Sequence, residues 1–194
     1  MDLSQFLESK GFAEFEGNIS TVPREVNFLS KIVSDKNIKN VLEIGFNAGH
    51  SAEIFLSKNP NCKLVSFELG KHNYTRFARN YINRKYPNRH TLIIGNSNET
   101  IPKYNPNFKF DLIFIDGGHE YNIALNDINN CKRLSHKDTI LIIDDVVINK
   151  NMQKKWNSGP TEAWMYAFKN KIIKPFSTIT FKPGRGIGWG KYLI

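Results

Sequence analysis

The sequence predicts an α/β protein with a doubly wound, mostly parallel, seven-stranded sheet and helices on both faces. Five short apolar strand patterns alternate with helical patterns, which is typical of repeated βα units around a buried parallel sheet. The first of these strands, from Asn40, runs through two glycines directly into a helical pattern. The last two strand patterns are separated only by Lys182-Pro-Gly-Arg-Gly186, which favours an antiparallel hairpin.

The first residues, 1–35, are expected to form a helical lead-in to one domain of residues 1–194. A short amphipathic helix comes first, and a second helix follows with Thr21 as its cap and Pro23 in its first turn. The buried stripe of this second helix should contain Val26, Phe28, Leu29 and Ile32.

After the lead-in, strands and helices alternate, and the crossovers between parallel strands should be right-handed. The predicted strands are Asn40 to Gly45, Lys63 to Glu68, Thr91 to Gly95, Phe110 to Asp116, Thr139 to Asp144, Phe176 to Phe181 and Ile187 to Leu193. The predicted helices are Ser51 to Ser57, His72 to Arg84, Glu99 to Tyr104, Tyr121 to Leu134 and Thr161 to Asn170.

The composition is that of a globular protein, with 40% hydrophobic and 23% charged residues. No apolar run approaches the roughly 20 residues of a membrane span, and the first ten residues lack the apolar core of a signal peptide. A cytoplasmic protein is therefore expected, and Cys62 and Cys131 should be buried, reduced thiols.

The net charge of +9 raises the question of a nucleic-acid partner. Because the lysines are scattered along the whole chain, a dedicated phosphate-binding surface is disfavoured. The densest basic segments are Arg76 to Arg89 and Lys150 to Lys155.

The segment Val41 to Ser51 predicts a binding site for a nucleotide-shaped ligand. Gly45 permits a sharp turn after the strand, and Gly49 permits a close approach to a ligand. Glu43 is a site candidate, because a carboxylate in a buried strand is costly unless it finds a partner. Glu68 ends the second strand, where a carboxylate can accept hydrogen bonds from ribose hydroxyls. The alternative is that Glu68 is an ordinary solvated loop residue.

Leu42-Glu-Ile-Gly-Phe-Asn-Ala-Gly49 resembles the first motif of the class I S-adenosylmethionine-dependent methyltransferases. The resemblance covers the chain from about residue 40 onward and implies a Rossmann-like sheet with strand order 3-2-1-4-5-7-6 and S-adenosylmethionine as the cofactor. It assigns Glu43, Gly45, Phe46 and Gly49 to the methionine end of the cofactor, Glu68 to the ribose, and Asn96 and Ser97 to the adenine. Further expected cofactor contacts are Asn47, Ser51, Leu69, Asp116 and Gly117.

This sequence departs from the family at the adenine end. The family often has an acidic residue after the third strand, whereas Asn96 and Ser97 offer only neutral hydrogen bonds. The adenine contact predicted here is therefore a neutral one.

Three carboxylates follow the fourth and fifth strands. Asp116, Asp144 and Asp145 should meet in one crevice, because the carboxyl ends of parallel strands share one edge of the sheet. Close carboxylates repel unless a cation or protons intervene, and a hard divalent ion such as Mg²⁺ prefers oxygen ligands. The alternative is that Asp144 caps a turn and Asp145 is solvated.

Asp116-Gly-Gly-His-Glu-Tyr121, together with the later Asp144-Asp145, resembles small-molecule O-methyltransferases of the macrolide- and sugar-modifying group and the cephalosporin hydroxylase-like proteins. In metal-dependent members the matching aspartates bind Mg²⁺, which orients a substrate hydroxyl. His119 is the candidate general base, because imidazole titrates near neutral pH. Asp116 is the second catalytic candidate. Alternatively, His119 caps the next helix or bonds Asp116.

The acceptor is expected to contact the lead-in and the loop from Val147 to Pro160. The loop carries Lys150, Lys154, Lys155 and Trp156, which would suit an anionic or sugar-like small molecule. Exposed lysines around a buried tryptophan explain the same residues. A homodimer that completes this pocket is also plausible.

These patterns favour an O-methyltransferase acting on a small molecule, with magnesium assistance as an open option. The alternative is a catalytically inactive binding module that contacts nucleic acid through its basic segments. A nicotinamide dehydrogenase is disfavoured, because the turn lacks a third glycine and Glu43 would repel a pyrophosphate.

Overall fold

The computed structural model describes all residues from 1 to 194 and contains seven strands and seven α-helices. The strands are β1 (Asn40–Ile44), β2 (Lys63–Glu68), β3 (His90–Ile94), β4 (Phe110–Ile115), β5 (Ser135–Asp144), β6 (Ile173–Lys182) and β7 (Arg185–Tyr192). The helices are α1 (Leu3–Glu8), α2 (Pro23–Val33), α3 (His50–Lys58), α4 (Tyr74–Lys85), α5 (Ser97–Lys103), α6 (Tyr121–Lys132) and α7 (Ser158–Lys169).

All seven strands form one sheet in the order β3-β2-β1-β4-β5-β7-β6. The pairs from β3 to β5 are parallel, and β7 is antiparallel to both β5 and β6. The predicted α/β class and strand order are therefore confirmed. The order reverses between β1 and β4, and ligands of such sheets bind where the carboxyl ends of the strands flank this switch point.

Two apolar cores cover the two faces of the sheet, as expected for strands that are apolar on both sides. On one face, Leu29 of α2, Phe55 of α3 and Ile82 of α4 pack with Val41 and Phe114. On the other face the helices α5, α6 and α7 supply the buried side chains Ile101, Ile128 and Trp164. Cys62 and Cys131 are buried and unpaired, as predicted.

The last three strands differ most from the sequence prediction. β5 begins at Ser135 instead of the predicted Thr139. The prediction missed residues 135–138 because they are polar and show no strand pattern. β6 begins at Ile173 instead of Phe176, since this edge strand tolerates Pro175 and exposed side chains. The hairpin turn is only Pro183-Gly184, because Lys182 already pairs with Arg185.

The predicted cap of α2 is wrong. Thr21 lies in a short 3-10 turn, Ile19–Thr21, and Val22 precedes the helix without a side-chain cap. The predicted stripe is also shifted, because Glu25 is buried together with Leu29 and Val33. Val26, Phe28 and Ile32 are only partly buried. No helix of the structure is long and apolar enough to cross a membrane.

Candidate active site

The glycine turn after β1 is fixed by its contact with the end of β4. Gly45 has φ +93°, and a Cβ atom on it would lie 1.9 Å from the carbonyl oxygen of Asp116. Only glycine fits there without movement of the backbone. Gly49 has φ +80° and is the N-cap residue of α3, and a Cβ on it would lie 2.9 Å from the Phe46 ring. The close approach that Gly49 permits is therefore to Phe46, a core side chain.

Glu43 lies beneath this turn and is fully buried. The hydroxyl groups of Ser51 and Ser66 each donate a hydrogen bond of 2.5 Å to its carboxylate. Burial raises the pKa of Glu43 to about 7. The carboxylate thus finds neutral hydroxyl partners and supports the turn from below.

Glu68, at the end of β2, connects the glycine turn with the next loop. Its two carboxylate oxygens accept hydrogen bonds from the backbone N–H groups of Asn47 and Gly70, each at 2.8 Å. The solvated-loop alternative is wrong, because Glu68 is only 8% exposed. Each oxygen keeps a lone pair for one further donor.

The ends of β2 and β3 present an apolar pair to solvent. Leu69 is 50% exposed and Ile94 is 53% exposed, and Ile94 pairs in register with Glu68. Asn96 caps α5 by accepting a hydrogen bond from the Asn98 N–H. Ser97 begins that helix, so the predicted adenine residues lie next to exposed apolar surface.

Two crevices adjoin at the carboxyl edge of the sheet, and Asp116 lines both. The first spans about 240 Å³, counting space open to solvent, and is lined by Gly17, Ile19, Gly45, Phe46, Asn47, Ala48, His50, Ser51 and Asp116. The second spans about 220 Å³, counted in the same way, and is lined by Ile115, Asp116, Gly117, Gly118, His119, Ala124, Ile143, Asp144, Asp145 and Pro160. The predicted cofactor turn and the predicted catalytic residues therefore face adjoining spaces.

The predicted acid cluster is present. Asp116, Asp144 and Asp145 each offer a carboxylate oxygen, and these oxygens lie within 4.8 Å of one another. Burial, reinforced by the neighbouring carboxylates, raises the pKa of Asp116 and that of Asp144 above their usual range. Three buried oxygens of Asp144 and Asp145 accept no hydrogen bond. Asp145 also has φ +59°, an uncommon conformation for a non-glycine residue.

His119 contacts the acid cluster through Asp145. Its Nε2 lies 3.0 Å from Asp145 Oδ2, and its side chain is 40% exposed. This hydrogen bond raises the pKa of His119 above its usual value. Both structural alternatives are corrected here, because the partner is Asp145 rather than Asp116, and Glu120 is the residue that precedes α6.

Two charged residues of the site, Arg185 and Glu25, were not predicted from the sequence. Arg185, the first residue of β7, has Nη2 3.2 Å from Glu25 Oε2 and 3.5 Å from Asp144 Oδ2. Glu25 is fully buried, and burial with the nearby Asp144 raises its pKa well above the usual range. Glu25 could have been found as a charge at helical spacing from Leu29. Arg185 could not, because its partner Glu25 lies 160 positions away.

A further buried carboxylate, Asp127 of α6, was also missed. Neither of its oxygens accepts a hydrogen bond of normal geometry, and burial raises its pKa to about 6 against the opposing effect of the nearby Ser97 side chain. A Cβ on Gly117 would lie 3.0 Å from Asp127 Oδ2. Its signal in the sequence is a charge within the apolar stripe of Ala124, Ile128 and Cys131.

The loop after β5 is fastened to the β6–β7 hairpin. Asn157 is fully buried and donates a hydrogen bond of 3.1 Å to the Gly184 carbonyl, and the Gly184 N–H donates to the Met152 carbonyl at 2.7 Å. Trp156 is 47% exposed, so the alternative of a buried tryptophan is wrong. Lys150, Lys154 and Lys155 belong to this loop.

Much of the basic segment from 76 to 89 is engaged within the protein. Arg89 donates to the backbone carbonyls of Leu56, Asn59 and Cys62. Lys85 pairs with Glu53 at 2.7 Å, while Arg76 and Arg84 lie over the rings of Phe77 and Phe6. Of these residues only Lys85 is neutralised by an acid, whereas Arg89 uses its donors within the fold.

The fold and the paired crevices define a protein of the Rossmann-like methyltransferase class. A family model described as a methyltransferase domain matches residues 42–146, which is more than half of the chain. The chain belongs to this methyltransferase family. No curated protein matches it in sequence.

Solved structures resemble the protein over nearly its whole length. An O-methyltransferase from Bacillus cereus, solved in complex with SAH, is 20% identical with a TM-score of 0.76, over 97% of this chain and 90% of that one. A putative O-methyltransferase from Klebsiella pneumoniae is 18% identical with a TM-score of 0.74, over 99% and 88%. The O-methyltransferase TomG from Streptomyces achromogenes, involved in tomaymycin synthesis and solved with SAM, is 14% identical with a TM-score of 0.76, over 99% and 88%. At these identities the likeness establishes the fold.

Proposed function

We propose that this protein transfers a methyl group from S-adenosylmethionine to a hydroxyl oxygen of a small molecule. The observation that carries the proposal is the meeting of the two crevices at Asp116, with the glycine turn on one side and His119 on the other. Membership of the methyltransferase family and the O-methyltransferases among its structural neighbours support it.

The first crevice would hold the cofactor. The methionine end of the cofactor would lie in this crevice along Gly45 and Asn47. Beyond the crevice, the ribose hydroxyls would donate to Glu68, and the adenine would lie against Leu69 and Ser97. Glu68 suits this role because its position is fixed by two backbone N–H groups while each oxygen retains a lone pair. Glu43 would act from below by holding Ser51.

The second crevice would hold the acceptor. Attack of the acceptor oxygen on the methyl carbon forms the new carbon–oxygen bond, and the electron pair of the broken carbon–sulfur bond stays on sulfur in S-adenosylhomocysteine. The hydroxyl proton passes to Nδ1 of His119, while Nε2–H donates to Asp145 Oδ2. Asp145 thereby orients the imidazole ring and stabilises its charged form.

The acid cluster fits Mg²⁺, because its donors are hard oxygens and three of them accept no hydrogen bond. When bound, Mg²⁺ would lower the pKa of the acceptor hydroxyl. Asp116, Asp144 and Asp145 would be its protein ligands. The basic loop with Trp156 favours an anionic or sugar-like acceptor. A homodimer that completes the acceptor pocket is a further prediction.

Calorimetry tests the cofactor. Titration of S-adenosylhomocysteine into the wild-type protein should show binding in the low-micromolar range or tighter. Glu68→Ala should weaken it at least tenfold, because each hydrogen bond to a charged group contributes about 1.5 to 3 kcal/mol. Glu162→Ala, at an exposed position of α7, is the control and should bind like the wild type. Absence of binding to the wild-type protein would refute the proposal.

A further inference from the structure

We propose that Arg185 is a built-in cation of the acid cluster, that it competes with a divalent metal ion for Asp144, and that Glu25 is its alternative partner. The inference rests on the metal site within the proposed function. It assigns to Arg185 and Glu25 the role of setting how tightly that site binds metal.

The fold fixes where Arg185 can reach. Arg185 follows the two-residue turn Pro183-Gly184, and Gly184 is fastened to the loop after β5 by hydrogen bonds with Met152 and Asn157. The Arg185 side chain is only 15% exposed. It therefore projects from an anchored hairpin into the protein and has few alternative positions.

One guanidinium group serves two carboxyl groups. The same atom, Arg185 Nη2, lies 3.2 Å from Glu25 Oε2 and 3.5 Å from Asp144 Oδ2. The longer distance to Asp144 leaves both oxygens of that residue without a hydrogen bond, although the residue is 2% exposed. Arg185 thus compensates the charge of Asp144 without occupying its ligand atoms.

Charge balance determines the competition. Asp116, Asp144 and Asp145 place three carboxyl groups around one small space, and Arg185 is the permanently charged cation beside them. An ion bound to Asp144 would share this carboxylate with the Arg185 guanidinium, and like charges repel strongly where water is excluded. Metal binding should therefore favour the pairing of Arg185 with Glu25.

Substitutions of Arg185 and of Glu25 should have opposite effects on metal affinity. Arg185→Met keeps an apolar side chain of similar length and removes the positive charge, so metal affinity should rise at least tenfold. Glu25→Met removes the alternative partner, so Arg185 should pair with Asp144 alone and metal affinity should fall at least threefold. The Glu25 carboxyl also lies beside Asp144, so the fall for Glu25→Met includes the loss of this carboxyl itself. An ion pair that served only the fold would leave the metal affinity of both variants equal to that of the wild type.

The experiment is calorimetric titration of the full chain with MnCl2 and, separately, MgCl2, with the melting temperature measured with and without Mn²⁺. Arg133→Met is the control, because Arg133 is a hydrogen-bonded arginine that bonds Asn105 and backbone carbonyls away from the cluster. It should leave metal affinity unchanged.

Opposite shifts for Arg185→Met and Glu25→Met would support the proposal, as would a larger stabilisation of Arg185→Met than of the wild type by Mn²⁺. Equal or weaker metal binding by Arg185→Met would overturn it, and so would absence of binding to all variants at millimolar metal. If Arg185→Met does not fold, unchanged or tighter binding by Glu25→Met overturns it. Titration of S-adenosylhomocysteine into the same samples separates this outcome from failure of the proposed cofactor.

Discussion

The acidic residues in the two halves of the carboxyl edge of the sheet differ in their hydrogen bonding. On the side of β1 and β2, Glu43 and Glu68 each accept two hydrogen bonds from nearby hydroxyl or backbone N–H groups. On the side of β4 and β5, Asp144 accepts none and shares Arg185 with Glu25. The first half is a completed scaffold, whereas the second keeps carboxylate oxygens free for a ligand.

This difference agrees with the two proposed tasks. A binding surface for a cofactor benefits from groups that are fixed before the ligand arrives, because less ordering is then needed on binding. Unsatisfied buried carboxylates are costly in the free protein, and such groups concentrate at functional sites.

Gly45→Ala should be severely destabilising, because its Cβ would meet the Asp116 carbonyl at 1.9 Å. We expect a loss of about 4 kcal/mol or more in the free energy of unfolding, at the upper end for single substitutions. Chemical denaturation measures it. Gly11→Ala is a matched control, because Gly11 has φ +89° but nothing lies within 4 Å of an added Cβ. Similar losses in both variants would show that backbone strain alone explains the glycine.

His119→Asn should lower kcat at least about 100-fold, since removing a general base typically costs a factor of that order. His136→Asn is the control, because His136 Nε2 lies 3.1 Å from Asp111 Oδ1 in a similar pair that lies outside both crevices. The kcat of both variants is measured as methyl transfer from labelled S-adenosylmethionine to an acceptor that the wild-type protein methylates. An equal loss in the two variants would assign His119 a structural role.

Asp127→Asn should stabilise the protein at neutral pH, because burial raises the pKa of Asp127 to about 6. An acid whose pKa is raised on folding binds more protons in the folded state between its two pKa values. Stability therefore falls as pH rises from about 4 to about 6 and stays lower above that. The gain for Asp127→Asn should be about 1 to 3 kcal/mol at pH 7.5.

Thermal or chemical unfolding between pH 3.5 and 8 checks this prediction. The difference between Asp127→Asn and the wild type should vanish at the acid end of the range. Asp138→Asn is the control, since Asp138 is exposed, and it should show no such trend. A destabilised Asp127→Asn at every pH would mean that the charged carboxylate has a partner in solution.

The sequence predicted the glycine turn and the meeting of the three aspartates for a physical reason. Glu43, Gly45 and Gly49 lie within one strand-turn-helix unit, so their geometry is encoded locally. The meeting of Asp116 with Asp144 followed from the rule that parallel strands share one carboxyl edge. Both steps use only neighbouring residues or the topology of the sheet.

The residues that the sequence analysis missed depend on packing between distant segments. Arg185 reaches Glu25 only after the hairpin has folded beside β5 and α2 has packed across the sheet. The polar start of β5 and the proline of β6 also conceal their strands, because neighbouring strands compensate for weak local patterns. Charges within the apolar stripes of α2 and α6 are the signals that a closer examination could use.

A crystal structure of the protein with S-adenosylhomocysteine and Mg²⁺ would show both halves of the site at once. We expect the ribose hydroxyls at Glu68, the sulfur facing Asp116, and metal density among Asp116, Asp144 and Asp145 beside His119. S-adenosylhomocysteine bound elsewhere, or a first crevice that stays empty at saturating ligand, would contradict this expectation.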